Sequence, residues 1–69
     1  MTNNDTLRRL RYALNINNSA VIDIYKLVNY SMDYNTLDSI FKRDDMEGYI
    51  DCSDEVLDAF LDGLIISKR

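Results

Sequence analysis

The chain has 69 residues, 46% of them hydrophobic, and a formal net charge of −4 with no histidine. That length suits one small helical domain, and the hydrophobic share is that of a globular protein, not a disordered tail. The acidic balance argues against a cationic face for nucleic acid or an anionic membrane, and an apolar run such as Leu64–Ile66 is far too short to span a bilayer.

Cys52 is the lone cysteine, so no internal disulfide can form, and the polar start MTNNDTLRRL lacks the apolar segment of a signal peptide. A reducing cytoplasm is the expected location. Proline is absent and glycine occurs only at 48 and 63, a composition that suits helices joined by short polar turns.

In chain order, Asn3, Asn4 and Asp5 offer capping side chains ahead of a first amphipathic run. Leu7, Leu10 and Leu14 recur at three- and four-residue spacing, with Ala13 beside them and Arg11 on the border. This predicts a helix over about 4–15. Asn17, Asn18 and Ser19 form the next break and cap. Ala20, Val21, Ile24, Tyr25, Leu27 and Val28 then make an apolar face opposite Asp23 and Lys26, predicting a helix over about 19–29. After Tyr30–Met32, Asp33 is placed to cap a third helix to about 43, with a stripe of Leu37, Ile40 and Phe41 that Tyr34 can join.

Lys42–Cys52 breaks the periodicity. Gly48 is expected to supply a backbone conformation that other residues resist, and Tyr49 and Ile50 to tuck the loop against the core. Ser53 then caps a helix over about 53–68, with Asp54 and Glu55 in its first turn and Lys68 and Arg69 at its end, both matched to the helix dipole. On this last helix only Asp58, Asp62 and Arg69 share a polar strip. Val56, Leu57, Ala59, Phe60, Leu61, Leu64, Ile65 and Ile66 cover the remaining circumference. A helix so apolar must be covered on several sides. The expected architecture is therefore all-α: a compact bundle of four short helices with the apolar C-terminal helix at its centre. Gly63, within that helix, is expected to permit close helix packing.

The strings NDTLRRLRYAL (Asn4–Leu14), KRDDMEGY (Lys42–Tyr49) and CSDEVLDAFLDGLIISKR (Cys52–Arg69), in this order and spacing, resemble the YehS-like bacterial family, catalogued as a domain of unknown function. The resemblance spans essentially the whole chain. It implies a cytoplasmic, all-helical bacterial protein with no assigned activity and no catalytic residues to carry over. It also implies that longer members hold two copies of this module in tandem. This chain holds one copy, as a single-module member or as half of a longer protein.

Three constellations can carry chemistry. Asp44, Asp45, Glu47, Asp51, Asp54 and Glu55 are acidic, but Met46 breaks the alternation an EF-hand loop needs. A solvated turn and a well-charged helix start are expected there, not a metal site. Arg8, Arg9 and Arg11 are the main basic concentration, with Lys42 and Arg43 as neighbours. They could hold an anion or an acidic partner, but with 12 acids against 8 bases they are expected to pair with Asp44, Asp45 and Glu47 and pin that loop to the first helix. The hairpin at about 20–43 has the outline of a helix-turn-helix, an alternative that the negative charge opposes.

No histidine is present to serve as a base for Cys52 or a serine, so no catalytic residue, cofactor or metal is assigned. Cys52 is expected to be a buried or bystander thiol, and the five tyrosines to sit at the edge of the core with their hydroxyls at the surface. The function expected is a non-enzymatic protein-interaction module. Three shorter helices are expected to leave part of the last one bare, for a protein partner or for a second chain in a homodimer that imitates the tandem arrangement. Nucleic acid is the less expected partner, as a regulator using the hairpin, and no membrane is expected.

Overall fold

The computed structural model describes residues Met1–Arg69. It contains four helices and no strand: α1 (Asn3–Ala13), α2 (Asn18–Lys26), α3 (Tyr34–Phe41) and α4 (Asp54–Ser67). The chain belongs to the all-α bundles, as its periodicity requires. No helix is long and apolar enough to cross a membrane.

Every helix opens on a short polar side chain that accepts from a backbone N–H two or three positions into the first turn. Thr2 takes Asp5 N, Asn17 takes Ala20 N, Asp33 takes Thr36 N at 2.7 Å, and Ser53 takes Val56 N. Thr2, not Asn3, Asn4 or Asp5, is therefore the first cap, which frees both asparagines for longer-range work. Accepting from Thr36 also holds the exposed Asp33 carboxyl below the usual carboxylate range.

The first two helices end earlier than their apolar pattern suggests because an asparagine turns left-handed after each. Asn15 has φ 53° and Asn29 φ 55°. After α1, Asn15 N donates to Tyr12 O and Ile16 N to Arg11 O; after α2, Asn29 N donates to Lys26 O and Tyr30 N to Tyr25 O. These paired bonds are the Schellman arrangement, with asparagine in the position that glycine usually holds. At α2 the expected side-chain contact is present too, since the Tyr25 and Tyr30 ring centroids lie 5.3 Å apart. Leu27 consequently leaves the helix and is exposed.

The core is Leu7 from α1, Val21, Ile22, Ile24 and Tyr25 from α2, Leu37 and Ile40 from α3, Cys52, and Phe60 from α4. Ile22, outside the predicted apolar face, is buried because α2 packs against both α3 and α4. The middle of the bundle thus falls on α2. α4, expected there, is the longest helix but inserts only Phe60 and Gly63 fully. Its Val56, Leu57, Ala59 and Leu64 are half-buried, and Ile65 and Ile66 are 56% and 42% exposed. α2, with a smaller share from α1, covers one side of α4, not its circumference.

The α2–α4 seam is closed by two devices. Gly63 faces Ile24, and a Cβ there would overlap the Ile24 carbonyl oxygen and come within 2.8 Å of its Cγ2. Tyr25 is fully buried, stacks obliquely on Phe60 at 5.8 Å, and donates its hydroxyl to Val56 O at 3.0 Å. Of the five tyrosines expected at the edge of the core, this one is at its centre, because a backbone carbonyl on α4 satisfies the hydroxyl.

Burial, reinforced by Cys52 and Tyr30 nearby, pushes the Tyr25 phenol well above its ordinary range; burial, reinforced by Asp54, also pushes the Cys52 thiol up. Both folded-state pKa values are raised, so the neutral forms are bound preferentially. Their contribution is complete below the ordinary thiol and phenol range and is lost as pH rises through it toward the folded values. Urea midpoints should therefore fall progressively above about pH 9. Tyr25→Phe should start about 1 kcal/mol less stable at neutral pH, through loss of the hydrogen bond, and fall less steeply on the alkaline side. An alkaline slope identical in the two proteins would contradict this.

Candidate functional site

Two surfaces merit scrutiny: a polar hollow where α1 begins, and the outer side of α4. The hollow, about 240 Å³, is lined by Thr2, Asn4, Asp5, Arg8, Arg43, Asp44, Asp45 and Tyr49. Arg8, Arg43, Asp44 and Asp45 of the sequence-derived set therefore do meet, but not as α1-to-loop ion pairs. Arg8 pairs with Asp5 on its own helix at 3.1 Å and donates to Lys42 O at 3.2 Å, near the end of α3. Arg43 lies 3.6 Å from Asp45 within the loop itself. Lys42 Nζ reaches back to Glu47 O at 3.3 Å.

Arg9 is exposed beside Tyr12. Arg11 folds inward, its guanidinium carbon 4.9 Å from the centre of the Phe41 ring, while its buried Nε has no acceptor. None of the three arginines of α1 forms an ion pair with the acidic loop.

What pins the loop is Asn4. Its side chain is 3% exposed and fully used: Nδ2 donates to Ile40 O at 3.0 Å and Ile50 O at 2.9 Å, and Oδ1 accepts from Cys52 N at 2.8 Å. One amide thereby joins α1, the end of α3 and the approach to α4. Asn3 adds bonds to Cys52 O and the Asp54 carboxylate. The loop is thus held by backbone groups, and Ile50, expected to tuck inward, is 43% exposed. Gly48 has φ 87°, the left-handed conformation anticipated for it. The periodicity places Asn4 on the inward side of α1, three residues before Leu7 and seven before Arg11, but it does not reveal the distant partners.

Chemically, the hollow offers mixed charge and no nucleophile–base pair. Tyr49, desolvated and then faced by Asp51, Asp44 and Asp5, has its phenol pushed up and stays protonated. Cys52 is 6% exposed with a raised pKa, the opposite of an activated thiol at a helix start. No three acidic or thiol side chains converge on one point. The hairpin also departs from a helix-turn-helix. Leu27–Asp33, seven residues, separate α2 from α3 where three or four are usual, and Lys42 and Arg43 are engaged locally.

The outer side of α4 is different in kind. At about 100° per residue, Leu57, Leu61, Ile65 and Lys68 lie on one side of the helix, with Asp58 at its margin. Leu57 and Leu61 are half-buried, while Asp58, Ile65 and Lys68 are exposed. Leu57 still packs against the core, and Leu61 and Ile65 form a ridge, the bare apolar part of the helix that its composition leads one to expect.

The geometry defines a small all-α domain closed by a buried asparagine, with a long helix left open along one side. The chain belongs to the family described as "Protein of unknown function (DUF1456)", whose model matches residues 3–69. It is 39% identical over 69 residues to "Uncharacterized protein YehS" of Escherichia coli (strain K12). The match covers 100% of this chain and 44% of that protein, so this chain spans less than half the length of its relative. No solved structure matches.

Proposed function

We propose that this chain is a non-enzymatic protein-interaction module of the bacterial cytoplasm, and that its recognition element is the outer side of α4. One observation carries the reading: Ile65 is 56% exposed on the outer side of a helix whose neighbours bury only part of its apolar circumference. Large β-branched side chains left bare along a regular helix favour contact with another apolar surface. The local commitment of the polar hollow's charges supports a role by contact, not by chemistry.

A photo-crosslinking amino acid at position 65, introduced in a bacterial host, tests it. The expected result is a discrete adduct that is absent when the same group is placed at exposed Asn35 on α3. Equal, diffuse labelling at both positions would overturn the reading.

A further inference from the structure

The ridge on α4 has a charge pattern that selects its partner. Going along it, Asp54 (held by Asn3) and Asp58 lie toward the start, Leu61 and Ile65 in the middle, and Lys68 at the end. Asp58 and Lys68 are exposed and neither takes part in an ion pair within the chain. The order is self-complementary when reversed. We infer that the partner is a second copy of this chain, docked antiparallel along α4, so that Leu61 of one copy meets Ile65 of the other and Asp58 faces Lys68. This inference rests on the reading of α4 as the recognition element.

Three arguments favour this occupant. First, an antiparallel two-fold pairing is isologous, so each apolar or charged contact occurs twice. Second, an in-register parallel pairing would set Asp58 against Asp58 and Lys68 against Lys68, which is repulsive at both ends. Third, Gly63 lies at the midpoint of the pairing but faces Ile24, on the side of α4 opposite the ridge, so the close α2–α4 approach leaves the ridge unobstructed. A single helix face is small beside the ~800 Å² per partner of a standard interface, so a weak, concentration-dependent association is expected.

The experiment is light scattering over a concentration series on the whole chain, with Asp58→Lys, Lys68→Asp and the double variant. All the altered positions are exposed, and circular dichroism verifies that each variant keeps its helices. Dimer mass is expected for the wild type at high micromolar concentration. Each single variant should dissociate about tenfold more readily, because two attractions become two repulsions. The double variant, and an equimolar mixture of the two single ones, should recover the dimer. A wild type that stays monomeric to about 1 mM, or a double variant weaker than either single one, overturns the inference. The crosslink separates this failure from that of the broader reading. An adduct at position 65 with a mass other than twice the chain would leave α4 as the recognition element while removing self-pairing.

Discussion

Gly63→Ala is expected to lower stability by about 3 kcal/mol, although alanine is the better helix former. Two opposing effects set the sign. Within an exposed helix the exchange would stabilise by about 1 kcal/mol, since glycine loses more backbone freedom on folding. Here the new Cβ would overlap the Ile24 carbonyl oxygen and come within 2.8 Å of its Cγ2. A side chain can rotate away, but a helix carbonyl cannot, so α2 and α4 must separate. Separation also strains the bond from Tyr25 to Val56 O and the packing of Tyr25 on Phe60. Because the first obstacle is backbone, Ile24→Ala should not rescue the variant. Urea unfolding followed by far-ultraviolet circular dichroism measures both. A Gly63→Ala protein as stable as the wild type would mean the two helices do not approach this closely.

The second large effect is at Asn4. Asn4→Ala should cost about 3 kcal/mol, because it strands three backbone groups at once: the carbonyls of Ile40 and Ile50 and the N–H of Cys52. Asn4→Asp should be at least as damaging near neutral pH. It removes both donors and sets a carboxylate against two carbonyl oxygens. Thr2→Ala, which removes only the cap of α1, should cost about 1 kcal/mol and serves as the nearby control. Hydrogen exchange at Cys52, whose N–H donates to Asn4, should accelerate before exchange in α2 does. Equal losses for Asn4→Ala and Thr2→Ala would reduce Asn4 to an ordinary helix-start residue.

These two positions also show how much was legible in the residues alone. Gly63 could be read, because a glycine amid Phe60, Leu61, Leu64 and Ile65 points to close packing. Asp33 and Ser53 were equally readable as caps, since a short polar residue ahead of an apolar repeat has a local physical role. Asn4 was misread because its partners are 36 to 48 residues away, and local pattern carries no information about them. The ends of α1 and α2 were overrun because Asn15 and Asn29 stop helices through backbone conformation, while the apolar pattern continues past them. The place of α4 was overestimated for a related reason. Periodicity reports which positions are apolar, but coverage depends on how many neighbours arrive, and α2 takes the middle. Of the basic and acidic groups, Arg8, Arg43, Asp44 and Asp45 meet in one hollow while Arg9 and Arg11 lie elsewhere, and the pairings are short-range choices that composition does not determine.

Cys52 gives this small fold a built-in clock. It is the lone thiol, 6% exposed, with a pKa raised by burial, and its backbone N–H is held by Asn4. A thiol reagent in solution therefore meets an inert group until the junction of α1, α3 and α4 comes apart. The labelling rate then follows the open population of that junction, and at saturating reagent its opening rate, under fully native conditions, without denaturant and without an introduced probe. Compared with global unfolding in the same buffer, it tells whether the junction opens alone or only when the whole bundle does.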